Sequence, residues 1–205
     1  MLRTETVEAT ASAKSGRPVE LRLQPIVSEV SGRVVGSDGR AIVGAKVTLS
    51  NHDVLNTSVS VSTDGDGRYS IRNIPPGNYH FDCEADGRAK LQRGHTKIRI
   101  AMADANFALP RAGSIAGRAT LPPNVPTRGY AIVSTTEPNT DFGEPAPGGL
   151  TNTHAIVNGN GTYRLTGLLP GTYTLHLRVE GKIADRVTVT VREGEEAPAP
   201  EMKMK

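Results

Sequence analysis

The side chains able to do covalent or metal chemistry are few: one cysteine, Cys83, and five histidines, His52, His80, His95, His154 and His176. A peptidase-type zinc site needs a histidine followed closely by a glutamate, because a catalytic zinc keeps three protein ligands and one open position. Three residues beyond the five histidines stand Leu55, Cys83, Ile98, Val157 and Val179, so no such pair exists. The Gly-x-Ser-x-Gly elbow of serine hydrolases, the Gly-x-x-x-x-Gly-Lys phosphate loop and the Gly-x-Gly-x-x-Gly dinucleotide turn are missing as well. Cys83 alternates with Tyr79 and Phe81, which places it on the inward side of a strand. Burial there raises a thiol's pKa and makes it a small hydrophobe rather than a nucleophile. No catalytic, cofactor-binding or metal-ligating residue is assigned, and the chain is expected to be no enzyme and to need no cofactor.

Weaker constellations remain. Asp64-Gly65-Asp66-Gly67 resembles the middle of a calcium loop, but Ser62 and Asn73 stand where its first and bidentate ligands belong, so a hairpin turn is the better reading. A self-formed Lys-Asn cross-link needs a buried lysine on the first strand, and Ser31 to Val35 contains none; Lys46 lies on the second. Arg88, Lys90, Arg93 and Lys97, with His95 and Arg99, form a stretch without an acid. That stretch suits either a solvated edge protected against sheet pairing or contact with an acidic polysaccharide. The Pro- and Gly-rich segment from Thr135 to Leu150 is an insertion relative to the first half of the chain and carries Asp141, Phe142 and Glu144 as candidate contacts. Val19, Leu21 and Leu23 form an apolar row able to add to another chain's sheet. A sugar-binding surface would want exposed rings, and only Tyr130 and Phe142 are left for that role.

The elements that hold these residues follow from composition. Among 205 residues there are 22 Gly and 14 Pro, no Trp and 4% aromatics, which argues for many turns and against a helical bundle. A formal charge of +3 implies neither nucleic acid nor a membrane surface as partner. One cysteine closes no disulfide within the chain. No apolar run approaches the roughly 20 residues of a membrane helix, and Met1 to Glu5 is polar rather than leader-like.

An internal repeat sets the organisation. Thr63-Asp64-Gly65-Asp66-Gly67-Arg68-Tyr69-Ser70-Ile71 matches Val157-Asn158-Gly159-Asn160-Gly161-Thr162-Tyr163-Arg164-Leu165. Pro76-Gly77-Asn78-Tyr79 matches Pro170-Gly171-Thr172-Tyr173, and Ser31-Gly32-Arg33-Val34 matches Ala116-Gly117-Arg118-Ala119. Two modules are expected, 27–110 and 111–205, with Leu109-Pro110-Arg111 as a short, stiff junction. Residues 1–26 read as the last two strands of a preceding module or as an extension. Period-2 alternation predicts about seven strands per module, near 31–35, 45–50, 58–62, 68–72, 79–85, 97–102 and 106–109 in the first. Their counterparts fall near 115–120, 129–134, 153–157, 162–166, 173–179, 187–191 and 201–204. Pro76-Gly77 and Pro170-Gly171 suit the centre of type II turns, and the Asp-Gly and Asn-Gly runs suit hairpins.

With Asp38-Gly39 and Gly44-Ala45-Lys46-Val47-Thr48-Leu49, these motifs resemble the carboxypeptidase regulatory-like domain, a transthyretin-like β-sandwich family. The resemblance covers both halves, the second more divergently around Pro122-Pro123-Asn124-Val125-Pro126. It implies an all-β protein of two tandem seven-stranded antiparallel β-sandwiches, Ig-like in architecture. It further implies a non-catalytic spacer, scaffold or adhesion module of a secreted or cell-surface protein. Its partners would be another protein or neighbouring repeats, with a polysaccharide or an adjoining extracellular enzyme as the alternative.

Overall fold

The computed structural model describes residues 28–51, 57–99, 101–123, 131–136 and 154–204. The expected N-terminal partial module therefore lies outside the described residues, as do Val19, Leu21, Leu23, Asp141, Phe142 and Glu144. All regular structure among the described residues is β. The first half contains β1 (Glu29–Gly36), β2 (Lys46–Asn51), β3 (Thr57–Ser62), β4 (Arg68–Arg72), β5 (Gly77–Glu84), β6 (Leu91–Ile98), β7 (Ala101–Met102) and β8 (Phe107–Leu109). The second contains β9 (Gly113–Thr120), β10 (Ala131–Thr136), β11 (His154–Ile156), β12 (Thr162–Leu168), β13 (Gly171–Val179), β14 (Lys182–Val191), β15 (Glu196–Pro198) and β16 (Met202–Lys203).

Each half is built from two sheets with the same strand order. One runs β3-β2-β5-β6, the other β4-β1-β7 with β8 also on β1; their counterparts are β11-β10-β13-β14 and β12-β9-β15 with β16 on β9. The inward rows are those the alternation predicts. Tyr79, Phe81 and Cys83 on β5, and Tyr173, Leu175, Leu177 and Val179 on β13, are buried. One core extends from Val30 to Leu109 and the other from Ile115 to Met202.

Three features depart from the sequence reading. The final strand of each half is split and runs parallel to its neighbour: β7 and β8 both pair parallel with β1, and β15 and β16 with β9. The chain reaches these strands by crossing from the opposite sheet, and a crossover, unlike a hairpin, permits a parallel pair. Asp104, at φ 63°, breaks the path between β7 and β8. Next, β14 begins at Lys182 rather than near 187, because Glu180 and Gly181, with φ 50° and 79°, form a two-residue hairpin turn. β6 likewise begins at Leu91, where Gln92, Arg93 and Gly94 hide the strand from an alternation test. Finally, Gly77 and Gly171 are not turn centres but the first residues of β5 and β13. The Pro-Gly segments are closed differently: the Tyr79 hydroxyl donates to the Pro75 carbonyl at 2.6 Å and the Tyr173 hydroxyl to the Leu169 carbonyl at 2.7 Å.

The repeated Gly and Tyr meet in the centre. A Cβ on Gly32 would lie 2.3 Å from the Ala105 carbonyl oxygen and 3.1 Å from the Tyr69 ring; one on Gly117 would lie 2.3 Å from the Tyr163 hydroxyl. The Tyr69 hydroxyl donates to that Ala105 carbonyl at 2.5 Å, and the Ala105 N–H in turn donates to the Ser31 carbonyl. The Tyr163 hydroxyl, equally buried, has no hydrogen-bond partner among the described residues.

This asymmetry predicts opposite outcomes for the same substitution. Tyr69→Phe loses a buried hydrogen bond and strands the Ala105 carbonyl, a cost of about 1–2 kcal/mol. Tyr163→Phe removes an unsatisfied buried hydroxyl and leaves stability unchanged or raised. Gly32→Ala overpacks against backbone and costs about 1–3 kcal/mol. Chemical denaturation of the three variants checks all of this.

Candidate functional site

Among the described residues no three His, Cys, Asp or Glu side chains stand close enough to share a metal. The Asp64 carboxylate is turned onto its own hairpin, where Oδ1 accepts from the N–H groups of Asp66 at 3.0 Å and Arg68 at 2.8 Å. Asn160 does the same toward Thr162, at 3.1 Å. The two turns close around Gly67 and Gly161 at φ 75° and 80°. Lys46 lies on an exposed strand surface beside Glu84, 3.5 Å away. Cys83 is fully buried, and burial, followed by the neighbouring Glu84 charge, pushes its thiol up to about 12. Free thiols of this kind pack and do not react.

The basic stretch is placed along β6 and the loop before it, and three of its four candidate residues are engaged within the molecule. Arg88 Nη1 donates to the Leu109 carbonyl at 3.1 Å. Lys90 Nζ lies 3.0 Å from Asp82, whose carboxylate also accepts from Gln92. Arg93 stacks over the Phe107 ring, 4.9 Å from its centroid, and donates to the Asn106 carbonyl at 3.1 Å. Phe107 in turn packs against Phe81, with centroids 6.1 Å apart. Lys97 is exposed on β6 opposite Asn78. Cation–π and carbonyl contacts of this kind staple β6 to β8, tying one sheet to the other.

The short junction at Leu109-Pro110-Arg111 is expected from the sequence; the hydrogen bonds that fix it between the two cores are not. Ala89 N–H donates to the Pro110 carbonyl at 3.0 Å and Ala112 N–H to the Gly87 carbonyl at 3.0 Å, with a bridge between Arg88 and Arg111. On the other side, Arg111 N–H donates to Glu193 Oε1 at 2.8 Å and Ser114 N–H to the Glu195 carbonyl at 2.9 Å. Gly194, at φ 71°, carries the 192–195 turn past the Arg111 side chain. The connecting segment from Leu109 to Ser114 is thus bonded to the first half through the 87–89 loop and to the second through the 193–195 turn. The partners lie 82 residues from Arg111 in one case and more than 20 in the other, so no local motif announces them.

A second unforeseen surface is the solvent side of β13 and β14. His176 on β13 faces Arg186 on β14 and sits two residues from Arg178. Partial burial, then Arg186 and Arg178, hold its imidazole below the ordinary histidine value.

Comparison with known proteins bears on the first half most directly. The carboxypeptidase regulatory-like domain family matches residues 29–110. A rhamnogalacturonate lyase of Dickeya dadantii is 31% identical over 96 residues, covering 42% of this chain and 17% of the lyase. The chain therefore spans less than a fifth of that relative's length. A minor pilin of Streptococcus agalactiae aligns at 12% identity with a TM-score of 0.36, over 87% of this chain and 96% of the pilin. A streptococcal ancillary pilin aligns at 16% identity with a TM-score of 0.37, over 87% and 64% of the two chains.

Two expectations follow from the titrating groups. Cys83 stays unmodified by a maleimide in the folded protein at pH 8 and is labelled fully in guanidinium, as intact mass would show. His176 binds its proton less readily in the folded chain than in the unfolded one, so its contribution to stability is intact above the ordinary histidine pKa of about 6.5 and is lost as pH falls below it. Thermal melts between pH 7.5 and 5 of the native chain and of His176→Gln check this: the variant loses less stability on acidification.

Proposed function

With residues 29–110 matching a carboxypeptidase regulatory-like domain, we propose that the chain is a non-catalytic segment of a larger secreted or cell-surface protein. It holds neighbouring parts at a fixed spacing and meets protein partners through its sheet surfaces. The observation that carries this reading is the joint. A spacer works only if its modules do not swing, and here the segment from Leu109 to Ser114 has hydrogen bonds to both halves and no free linker. The buried thiol and the self-satisfied Asp64 turn agree with a structural role, since neither is poised for substrate chemistry. The modules of this reading are 27–110 and 111–205, each centred on one of the two cores.

One observation favours a second reading. The 31% identity to part of a rhamnogalacturonate lyase supports an accessory module of a polysaccharide-degrading enzyme. A reading frame that continues into a catalytic domain would establish that reading.

The joint gives a direct test. Insertion of Gly-Gly-Ser between Pro110 and Arg111 leaves both melting transitions in place but broadens the pair-distance distribution in small-angle X-ray scattering relative to the native chain. Identical scattering from the two proteins would mean that the joint already swings, and the spacer reading would fall. Assembly through edge strands would show as a concentration-dependent mass in light scattering that disappears when residues 1–25 are removed.

A further inference from the structure

The same sheet is finished differently in the two halves. In the first, the solvent side of β5 carries Asp82 and Glu84, and each is neutralised in place, by Lys90 at 3.0 Å and by Lys46 at 3.5 Å. Counting along β13 from Tyr173 as along β5 from Tyr79, the equivalent positions are His176 and Arg178. Two acids have become two bases. Around them the register sets further rows: His176 pairs across with Arg186 on β14 and, through Ser134 of β10, with His154 on β11. Arg178 lies across from Ile183 on one side and, through Ile132, from Ile156 on the other. Thr172, Thr188 and Thr190 complete the exposed part, with Thr172 and Thr190 hydroxyls 3.1 Å apart.

Among the described residues within the strands of this sheet no carboxylate faces solvent; Glu180 is exposed only in the hairpin that joins β13 and β14. Asp185, the acid on β14, sits at a bulge and accepts from the Lys203 N–H of the opposite sheet at 2.8 Å. Apolar surface adds to the imbalance. Of the three large hydrophobic side chains exposed among the described residues, Ile156 at 54% and Ile183 at 39% are both here, three strand spacings apart, about 14 Å. Two guanidiniums and two imidazoles between exposed isoleucines leave a surface complementary to carboxylates flanked by apolar residues. Arginine is favoured at such protein contacts and binds carboxylates in a two-pronged fashion. A sugar would instead seek ring faces, and all six aromatic side chains described are buried.

We propose that the outer face of the β11-β10-β13-β14 sheet, centred on His176, Arg178 and Arg186, is a docking surface for an acidic segment of a partner polypeptide. This rests on the interaction reading above but fails separately from it, because neither face nor test involves the joint. The ionisable side chains in register around His176 are Arg178 on its own strand, Arg186 on β14 and His154 on β11, with Glu180 beyond Arg178 in the hairpin; a carboxylate bound at His176 favours its protonated imidazole, and binding tightens on acidification.

Poly-L-glutamate is the probe, titrated into the isotope-labelled full chain at pH 7.5 and 5.5 with NMR detection, and polygalacturonate runs in parallel. The expected result is a set of shifts confined to Thr172–Arg178 and Arg186–Thr190, stronger at pH 5.5. Arg178→Glu with Arg186→Glu weakens apparent affinity about tenfold or more; the milder Arg178→Gln with Arg186→Gln serves if the first fails to fold. The proposal is overturned by shifts that are absent, that centre on Arg88 to Arg99, or that survive in the variants. It is equally overturned if polygalacturonate, and not poly-L-glutamate, perturbs this face, since the partner would then be an acidic polysaccharide.

Discussion

The close approach of a tyrosine and a carbonyl to a glycine governs this architecture. Gly32 on β1 leaves room for the Ala105 carbonyl at a distance that no Cβ would tolerate. That room lets the chain, after crossing from the other sheet, lie parallel beside β1 and close the sandwich. Tyr69, reaching from β4, fixes the carbonyl with its hydroxyl and pays part of the cost of bringing polar backbone into an apolar interior. In the second half Gly117 keeps the close approach of the tyrosine, here Tyr163, with the Ala199 side chain beside it in place of a carbonyl, and the bond is lost. The packing constraint is therefore older in the logic of the fold than the hydrogen bond: the sandwich forms around the contact and tolerates an unsatisfied hydroxyl.

From that closure the joint follows. Once β8 is docked on β1, Leu109 and Pro110 emerge at a fixed point, and Arg88 and Ala89 are already positioned to receive them. The 193–195 turn then receives Arg111 and Ser114 from the other side. A hydrogen-bonded connector of this kind removes the conformational freedom that a flexible linker would retain. Any mechanical use of the chain depends on that loss.

Much of the fold could be read from the residues because β structure writes a period of two wherever one face is buried and the other wet. Tyr79-Phe81-Cys83 and Tyr173-Leu175-Leu177 were legible for that reason, as were the Asp-Gly and Asn-Gly hairpins, where positive φ selects glycine. The start of β6 was not legible, since Gln92, Arg93 and Gly94 serve an edge strand whose stabilising contacts are with distant Asp82, Asn106 and Phe107. The start of β14 was hidden because Glu180 adopts a positive φ unusual for its type. The candidate surfaces were less legible still. Arg111 meets Glu193, and His154 shares a row with His176 and Arg186, only after the sheets have assembled. A basic run in sequence drew attention to Arg88–Lys97, yet contiguity along a chain says nothing of whether each cation is already engaged.

The central claim, that the two cores move as one body, is tested most directly by residual dipolar couplings measured from backbone amides of both halves in one alignment medium. The account predicts that a single alignment tensor fits both sets with equal magnitude. Two tensors, with one half markedly less aligned than the other, would contradict it and reduce the joint to a hinge.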